Sequence, residues 1–149
     1  MSGLILLGCG KEKRPAPWCG PIVDLYTGSL YISRLAAARS GTPRRSGAGH
    51  QGHARRPSYQ VTPYDRTMAD LCKEMRACYA SAVASMVMKV ADEIGTDTVV
   101  CLLSADYIAP WRERVENYGL TVETPLAGLG MGEQRGRCAE IVREVVNAA

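Results

Sequence analysis

The sequence predicts a single-domain, three-layer α/β fold, with a mostly parallel, Rossmann-like sheet of about four strands flanked by helices. Three observations predict it. Leu4-Ile5-Leu6-Leu7 and Val99-Val100-Cys101-Leu102-Leu103 are continuous apolar runs, and a strand with no polar side has no solvated face, so both belong inside a sheet covered on both sides. The stretches between such runs carry apolar residues at helical spacing, and strands alternating with helices imply right-handed βαβ units. The 149 residues, 46% of them hydrophobic, suffice for one core and leave little for a second, so the domain spans 1–149.

The first strand stops at Gly8-Cys9-Gly10, followed by Lys11 and Lys13. The segment from Arg14 to Pro21 holds three prolines and is a loop crossing the top of the sheet rather than helix or central strand. A helix follows from about Ser29 to Arg39, with Thr27 or Ser29 able to cap its exposed amides. From Pro43 to Ser58 there is no Val, Ile, Leu, Met, Phe, Trp or Tyr. Such a segment cannot bury apolar area, so residues 40–58 are expected to form a disordered or anomalous basic loop: a solvated connection, or a flexible arm that neutralises phosphates. Tyr59 to Thr62 reads as a short edge strand, and Pro63-Tyr64-Asp65 turns the chain.

Thr67 with Asp70 three residues on forms a capping box with Asp in place of Glu. The helix after it, about Met68 to Ile94, places Met68, Leu71, Met75, Cys78, Ala82, Met86, Val90 and Ile94 on one stripe, which is expected to be core. Gly95 ends this helix, and the strand Val99 to Leu103 follows. A third helix, from about Asp106 to Tyr118, has Pro110 in its first turn. Leu120 to Thr124 is a short strand, and Leu126 to Gln134 is a glycine-rich loop. The last helix, about Glu133 to Asn147, is expected to bury Cys138, Ile141, Val142, Val145 and Val146.

The net charge of +3 is uneven, because Arg39, Arg44, Arg45, Arg55 and Arg56 lie in a segment with no acid. The remainder of the chain is slightly acidic, which argues for a basic loop rather than a whole-surface nucleic-acid binder. The six cysteines form no CxxC pair and no Cys/His cluster at zinc spacing, and His50 and His53 have no acidic or thiol neighbours in sequence. No metal and no cofactor is expected. Reduced thiols in the cytoplasm are the simplest account, with Cys72, Cys78, Cys101 and Cys138 as small buried hydrophobes. The longest apolar run is too short to span a bilayer, and no basic n-region precedes the first strand, so no membrane partner is expected.

Parallel strands put their carboxyl-end loops on one edge, so Gly8 to Lys13, Ser104 to Tyr107 and Pro125 to Gln134 are expected to converge on one crevice. Cys9 is the sharpest candidate nucleophile, since neighbouring positive charge favours thiolate; equally, it fits where a small residue is needed. Lys11 and Lys13 are candidate phosphate contacts as point charges. Gly128, Gly130 and Gly132 precede a helix and can present amides to an anion, although the Walker lysine and the G-x-G-x-x-G spacing are absent. Glu133 and Gln134 read as base-reading groups or as simple first-turn residues. Asp65 is a candidate general base beside Tyr64, or part of a turn that caps the long helix.

Four ordered motifs carry a resemblance: Cys9-x-Lys11-x-Lys13, Asp24-Leu25-Tyr26-Thr27-Gly28-Ser29-Leu30, Pro63-Tyr64-Asp65-x-Thr67-Met68 and Pro125-Leu126-x-Gly128-Leu129-Gly130-x-Gly132-x-Gln134. Together they resemble a small α/β family common in phages and actinobacteria, whose members are sometimes described as similar to the peroxide-stress protein YaaA. Relatives carry an apolar strand ending in Ser-Ala-(Lys or Arg)-(His or Tyr)-Gly-Leu before Pro-Tyr-Asp. The 43–58 segment here departs from that pattern, as a pair of compensating frameshifts in a GC-rich gene would produce, so the resemblance implies a sheet short of one member.

A second resemblance is to archaeosine synthase, whose Cys-Ser-x-x-Lys-Pro-Tyr-x-x-Ser-x-x-His signature acts on the nitrile of a 7-deazaguanine base. Cys9 and Lys13 keep its first spacing, and Tyr26 and Ser29 its second, across an insertion of about a dozen residues. Gly10 replaces the serine and Ile32 the histidine.

Two functions are therefore expected. One is an enzyme, a transferase or hydrolase, acting on a nucleobase or nucleotide, in 7-deazaguanine-type nucleic-acid modification or base processing. It would use Cys9, Lys13 and Asp65 catalytically, and Lys11, Tyr26, Ser29, Tyr64, Ser104, Tyr107, Gly128, Gly130, Gly132 and Gln134 for substrate or phosphate. The other is a non-catalytic nucleotide- or nucleic-acid-binding accessory protein. Either would work in the cytoplasm, that of the host if phage-encoded.

Overall fold

The computed structural model describes residues 3–41, 46–50, 53–55, 58–61 and 67–148. Two apolar runs anchor it. Strand β1, Leu4–Leu7, and strand β6, Thr98–Leu102, pair in parallel with Leu4 opposite Val99 and Leu7 opposite Leu102. The chain order is β1, β2 (Gly20–Pro21), α1 (Ser29–Gly41), β3 (Ser46–His50), β4 (His53–Arg55), β5 (Gln60–Val61), α2 (Lys73–Ile94), β6, α3 (Ala105–Asn117), β7 (Thr121–Glu123) and α4 (Met131–Ala148). The main sheet runs β4-β3-β1-β6-β7, with β3, β1, β6 and β7 parallel and β4 antiparallel at one edge. The α/β class, the three layers and the mostly parallel sheet are those expected.

Because side chains alternate faces along a strand, one apolar run feeds two cores. Leu4, Leu6, Val99 and Cys101 pack with Tyr79, Val83, Val87, Trp111 and Val115 of α2 and α3. Ile5, Leu7, Val100 and Leu102 pack with Tyr31, Leu35, Ala38, Cys138 and Ile141 of α1 and α4. Burying each such aliphatic side chain stabilises by roughly 1.5–3 kcal/mol, which accounts for two helices on each face.

The segment expected to be a structureless loop instead contains two strands. β3 lies in parallel beside β1, Ile5 opposite Ser46 and Leu7 opposite Ala48, and β4 folds back onto it. The sheet has not lost its member. Periodicity failed here because a ladder is made by backbone N–H and C=O groups, which Gly, Ala and Ser supply as well as Val does, and the open edge of a buried central strand needs a partner. Residues 43–45, 51–52 and 56–57 lie outside the described residues.

Three other expectations shift. The long helix is interrupted: Met68–Asp70 is a separate 3-10 turn closed by the predicted Thr67–Asp70 capping box, Leu71 is extended, and α2 starts at Lys73. The break changes the helical phase, so the inward face is Tyr79, Ala80, Val83, Ala84, Val87 and Ala91, while Met75, Cys72 and Cys78 are exposed. Small alanines let the helix lie close to the sheet, which the methionine stripe did not reveal. In α4 the predicted core narrows to Cys138 and Ile141; Val142 and Val145 are half-buried and Val146 is exposed.

Gly95 does end α2, in the left-handed region at φ 68° where glycine is favoured. α3 begins at Ala105, so Pro110 lies inside it rather than in its first turn. The expected edge strand near Tyr59 is β5, which pairs antiparallel with β2 in a small separate sheet. Among the described residues no helix is long and apolar enough to cross a membrane.

Candidate functional site

Right-handed crossovers leave β1 towards β3 and β6 towards β7, in opposite directions along the sheet, so α1 and α3 fall on opposite faces. The crevice between the carboxyl ends of β1 and β6 is therefore a topological switch point, where open α/β sheets hold ligands. The Gly8 amide extends the ladder by donating to the Leu102 carbonyl at 3.1 Å. A Cβ on Gly8 would lie 2.7 Å from Leu103 Cβ and 3.0 Å from Arg34 Nη1, so the close approach of three elements requires glycine here. Cys9 follows, half-buried, just past the end of β1.

Tyr107, in the first turn of α3, comes to the same place from β6. Its hydroxyl accepts from the Met68 amide at 3.2 Å, and the Cys9 thiol lies near enough to act on its ionisation. Burial, followed by the nearby Cys9, pushes the Tyr107 hydroxyl up to about 12, so at neutral pH it keeps its proton. The Tyr107 carbonyl accepts from Tyr79 Oη at 2.9 Å and from Trp111 Nε1 at 2.5 Å. Those two bonds, with the edge-on Tyr79 ring 6.3 Å away, fix the residue's backbone and ring.

Arg34 approaches from α1. It is only 5% exposed, yet its sole side-chain hydrogen bond among the described residues runs from Nη2 to Gln134 Oε1 at 2.7 Å, and its buried Nε has no partner there. Burial lowers its pKa, while the Cys138 and Cys9 thiols pull the other way. Gln134 is spanned at both ends, since its Nε2 donates to the Leu129 carbonyl at 2.8 Å. The amide thus ties the glycine-rich loop to the buried cation.

Contacts link the three loops: Cys9 lies near Tyr107, Gly8 lies against Arg34, and Arg34 donates to Gln134. Lys11 is exposed beside them. Lys13 is half-buried, bridges to Tyr26 through its backbone, and turns its ammonium to the Lys11 carbonyl at 3.3 Å. Ser104 stands exposed at the start of α3 and Ser29 at the start of α1.

Tyr26 does not line the crevice. It is 2% exposed, its ring tilted 55° against that of Tyr31 at 4.8 Å, and it packs under Gly10, so it supports the Cys9 loop from below. The glycine loop is also less open to anions than its composition implied. Glu133 Oε2 accepts from the Gly130 amide at 2.8 Å, an internal carboxylate in the place expected for phosphate; Gly128 and Gly132 flank it with open space around both. Tyr64 and Asp65 lie outside the described residues. Among the described residues no group of three or more His, Cys, Asp or Glu is placed to hold a metal ion.

Sequence reasoning passed over Arg34. Its signal was there: Tyr31, Arg34, Leu35 and Ala38 occupy one helical stripe, and a charge at an inward position needs an explanation.

A protein-family model described as a family of unknown function, DUF6884, matches residues 4–139, which takes in every residue of the contacts around Gly8, Cys9, Arg34, Tyr107 and Gln134. No curated protein and no solved structure matches the chain.

Proposed function

The chain belongs to the DUF6884 family, and from that premise we propose that it is an enzyme directed at a nucleobase or nucleotide, with Cys9 as nucleophile. The observation that carries this reading is the Cys9 thiol beside a protonated Tyr107 hydroxyl at the switch point of the sheet. A thiol adding to a nitrile or carbonyl carbon forms a C–S bond, and the electron pair displaced onto nitrogen or oxygen needs a proton. Tyr107 is a proton donor suited to that need, replenished by the proton the thiol gives up, so atoms and charge balance.

The nitrile of a 7-deazaguanine base is one electrophile of this class. Lys11 and Lys13 lie on the same loop for an anionic portion of the substrate, whether a nucleotide or a nucleic acid, and Asp65 is the residue proposed as base, taking the thiol proton and returning it to Tyr107. A second reading, a non-catalytic nucleotide- or nucleic-acid-binding accessory protein, is favoured by the exposure of Lys11 at the rim, which serves an anion without any covalent step.

A thermal-shift screen of nucleotides and deazaguanine precursors identifies the ligand. Turnover and binding are then measured for Cys9→Ser and Lys13→Ala. Loss of turnover with binding kept in Cys9→Ser supports the enzyme; a silent Cys9→Ser alongside weakened binding in Lys13→Ala sinks the covalent mechanism and leaves the accessory protein.

A further inference from the structure

We propose that Arg34 is the anchor for an oxyanion of the ligand, a carboxylate or phosphate group held at the carboxyl end of β1. The inference deepens the reading of the crevice as a nucleotide- or nucleobase-directed site and rests on it. It concerns binding, not thiol chemistry.

A guanidinium taken out of water costs several kcal/mol unless it is paired and its donors are satisfied. Arg34 is 5% exposed and meets no carboxylate among the described residues. Its one side-chain partner there is the neutral Gln134, and Nε is buried without any. The Cys138 thiol acts on it, but burial pushes that thiol up, so it supplies no counter-charge at neutral pH. A purely structural link between α1 and α4 would be served as well by an apolar contact or a Gln–Gln pair. The arrangement is electrostatically incomplete in a way an oxyanion completes, because the planar fork of arginine suits bidentate carboxylate or phosphate.

The position points the same way. Nη1 lies against Gly8, where even a methyl group would come within 3.0 Å, so the cation abuts the exit of the central strand, next to Cys9. Gln134 orients it: the amide is fixed through Leu129 and accepts from Nη2, leaving the other N–H groups for a ligand.

The test uses the full chain with inorganic phosphate, acetate, a nucleoside 5′-monophosphate and its parent nucleoside, read by thermal shift and calorimetry. Phosphate or acetate is expected to raise the melting temperature with concentration. A phosphate response alone identifies a phosphoryl ligand and an acetate response alone a carboxylate; with phosphate, the monophosphate should bind about tenfold or more tighter than the nucleoside. Arg34→Met should lose the response. Gln134→Glu, which sets a carboxylate 2.7 Å from Nη2, should lose it by competing internally, and it decides the matter if Arg34→Met does not fold.

An unchanged response in both variants, or no response of the wild type to either anion, overturns the proposal. The Cys9→Ser turnover test reads the thiol and the anion response reads the guanidinium, so either idea can fail without the other.

Discussion

Arg34 and Gln134 meet at 2.7 Å across a hundred residues of chain, joining the middle of α1 to the first turn of α4. Through the second bond of Gln134, to the Leu129 carbonyl, the contact also sets the glycine-rich loop against the exit of β1. Two segments with no local reason to be neighbours are thereby held in one wall of the crevice.

Gln134→Leu keeps the size of the side chain and removes both bonds. Leaving a buried guanidinium and a carbonyl short of partners should cost about 1–3 kcal/mol, seen as a lower urea midpoint with an unchanged slope. A midpoint equal to that of the wild type would mean that water replaces the amide at no cost.

Gly8→Ala places a methyl 2.7 Å from Leu103 Cβ, between two paired central strands that cannot separate. We expect destabilisation of about 1–3 kcal/mol from overpacking, and altered alkylation of Cys9, whose backbone would have to shift. Unchanged stability and unchanged thiol reactivity together would contradict the close packing described at this position.

Alkali should destabilise the protein through its buried acids. Burial pushes Tyr31 and Tyr107 from 10.0 up to about 12, and Cys101 from 9.0 up to about 12. A folded pKa above the unfolded one means that the neutral form is favoured on folding. That stability is fully present below the unfolded values and is lost as pH rises towards the folded ones. Urea midpoints should therefore start to fall above about pH 9, each group adding up to about 1.4 kcal/mol per pH unit inside its own window. Tyr31→Phe should shallow the fall above about pH 10; an identical slope would show that Tyr31 already ionises normally in the fold.

Hydrogen exchange tests the β3–β4 hairpin. With Ile5, Leu6 and Leu7 opposite Ser46, Gly47 and Ala48, amides within Ser46–His50 should exchange markedly more slowly than that of the exposed Lys11. Exchange of the whole 46–50 stretch at the rate of free peptide would return this segment to the loop that its composition predicted.

What the sequence determined by itself was whatever the side chains report locally. Four consecutive apolar residues in β1 can only be buried on both faces, so the central strand, the covered sheet and the crevice at its carboxyl end follow from Leu4 to Gly10 alone. The same holds for the capping box at Thr67 and Asp70, and for the glycine that stops α2.

Tertiary structure decided what depends on partners distant in the chain. β3 forms because the backbone of β1 has an open edge, and a ladder is blind to whether its members are Ser and Gly or Val and Ile. The face that α2 buries was set by a break at Leu71 and by alanines that allow close approach, so of the predicted stripe Met68 and Leu71 are buried and Met86, Val90 and Ile94 pack partly against the core, while Met75 and Cys78 face out. Tyr26 was turned inward by Tyr31 and Gly10, and Asp70, Glu133 and Gln134 found backbone and side-chain partners within the fold. Arg34 became the most telling residue of the crevice for a reason no local pattern contains: its environment, made by β1, Leu103 and Gln134, encloses a charge and supplies no opposite one among the described residues.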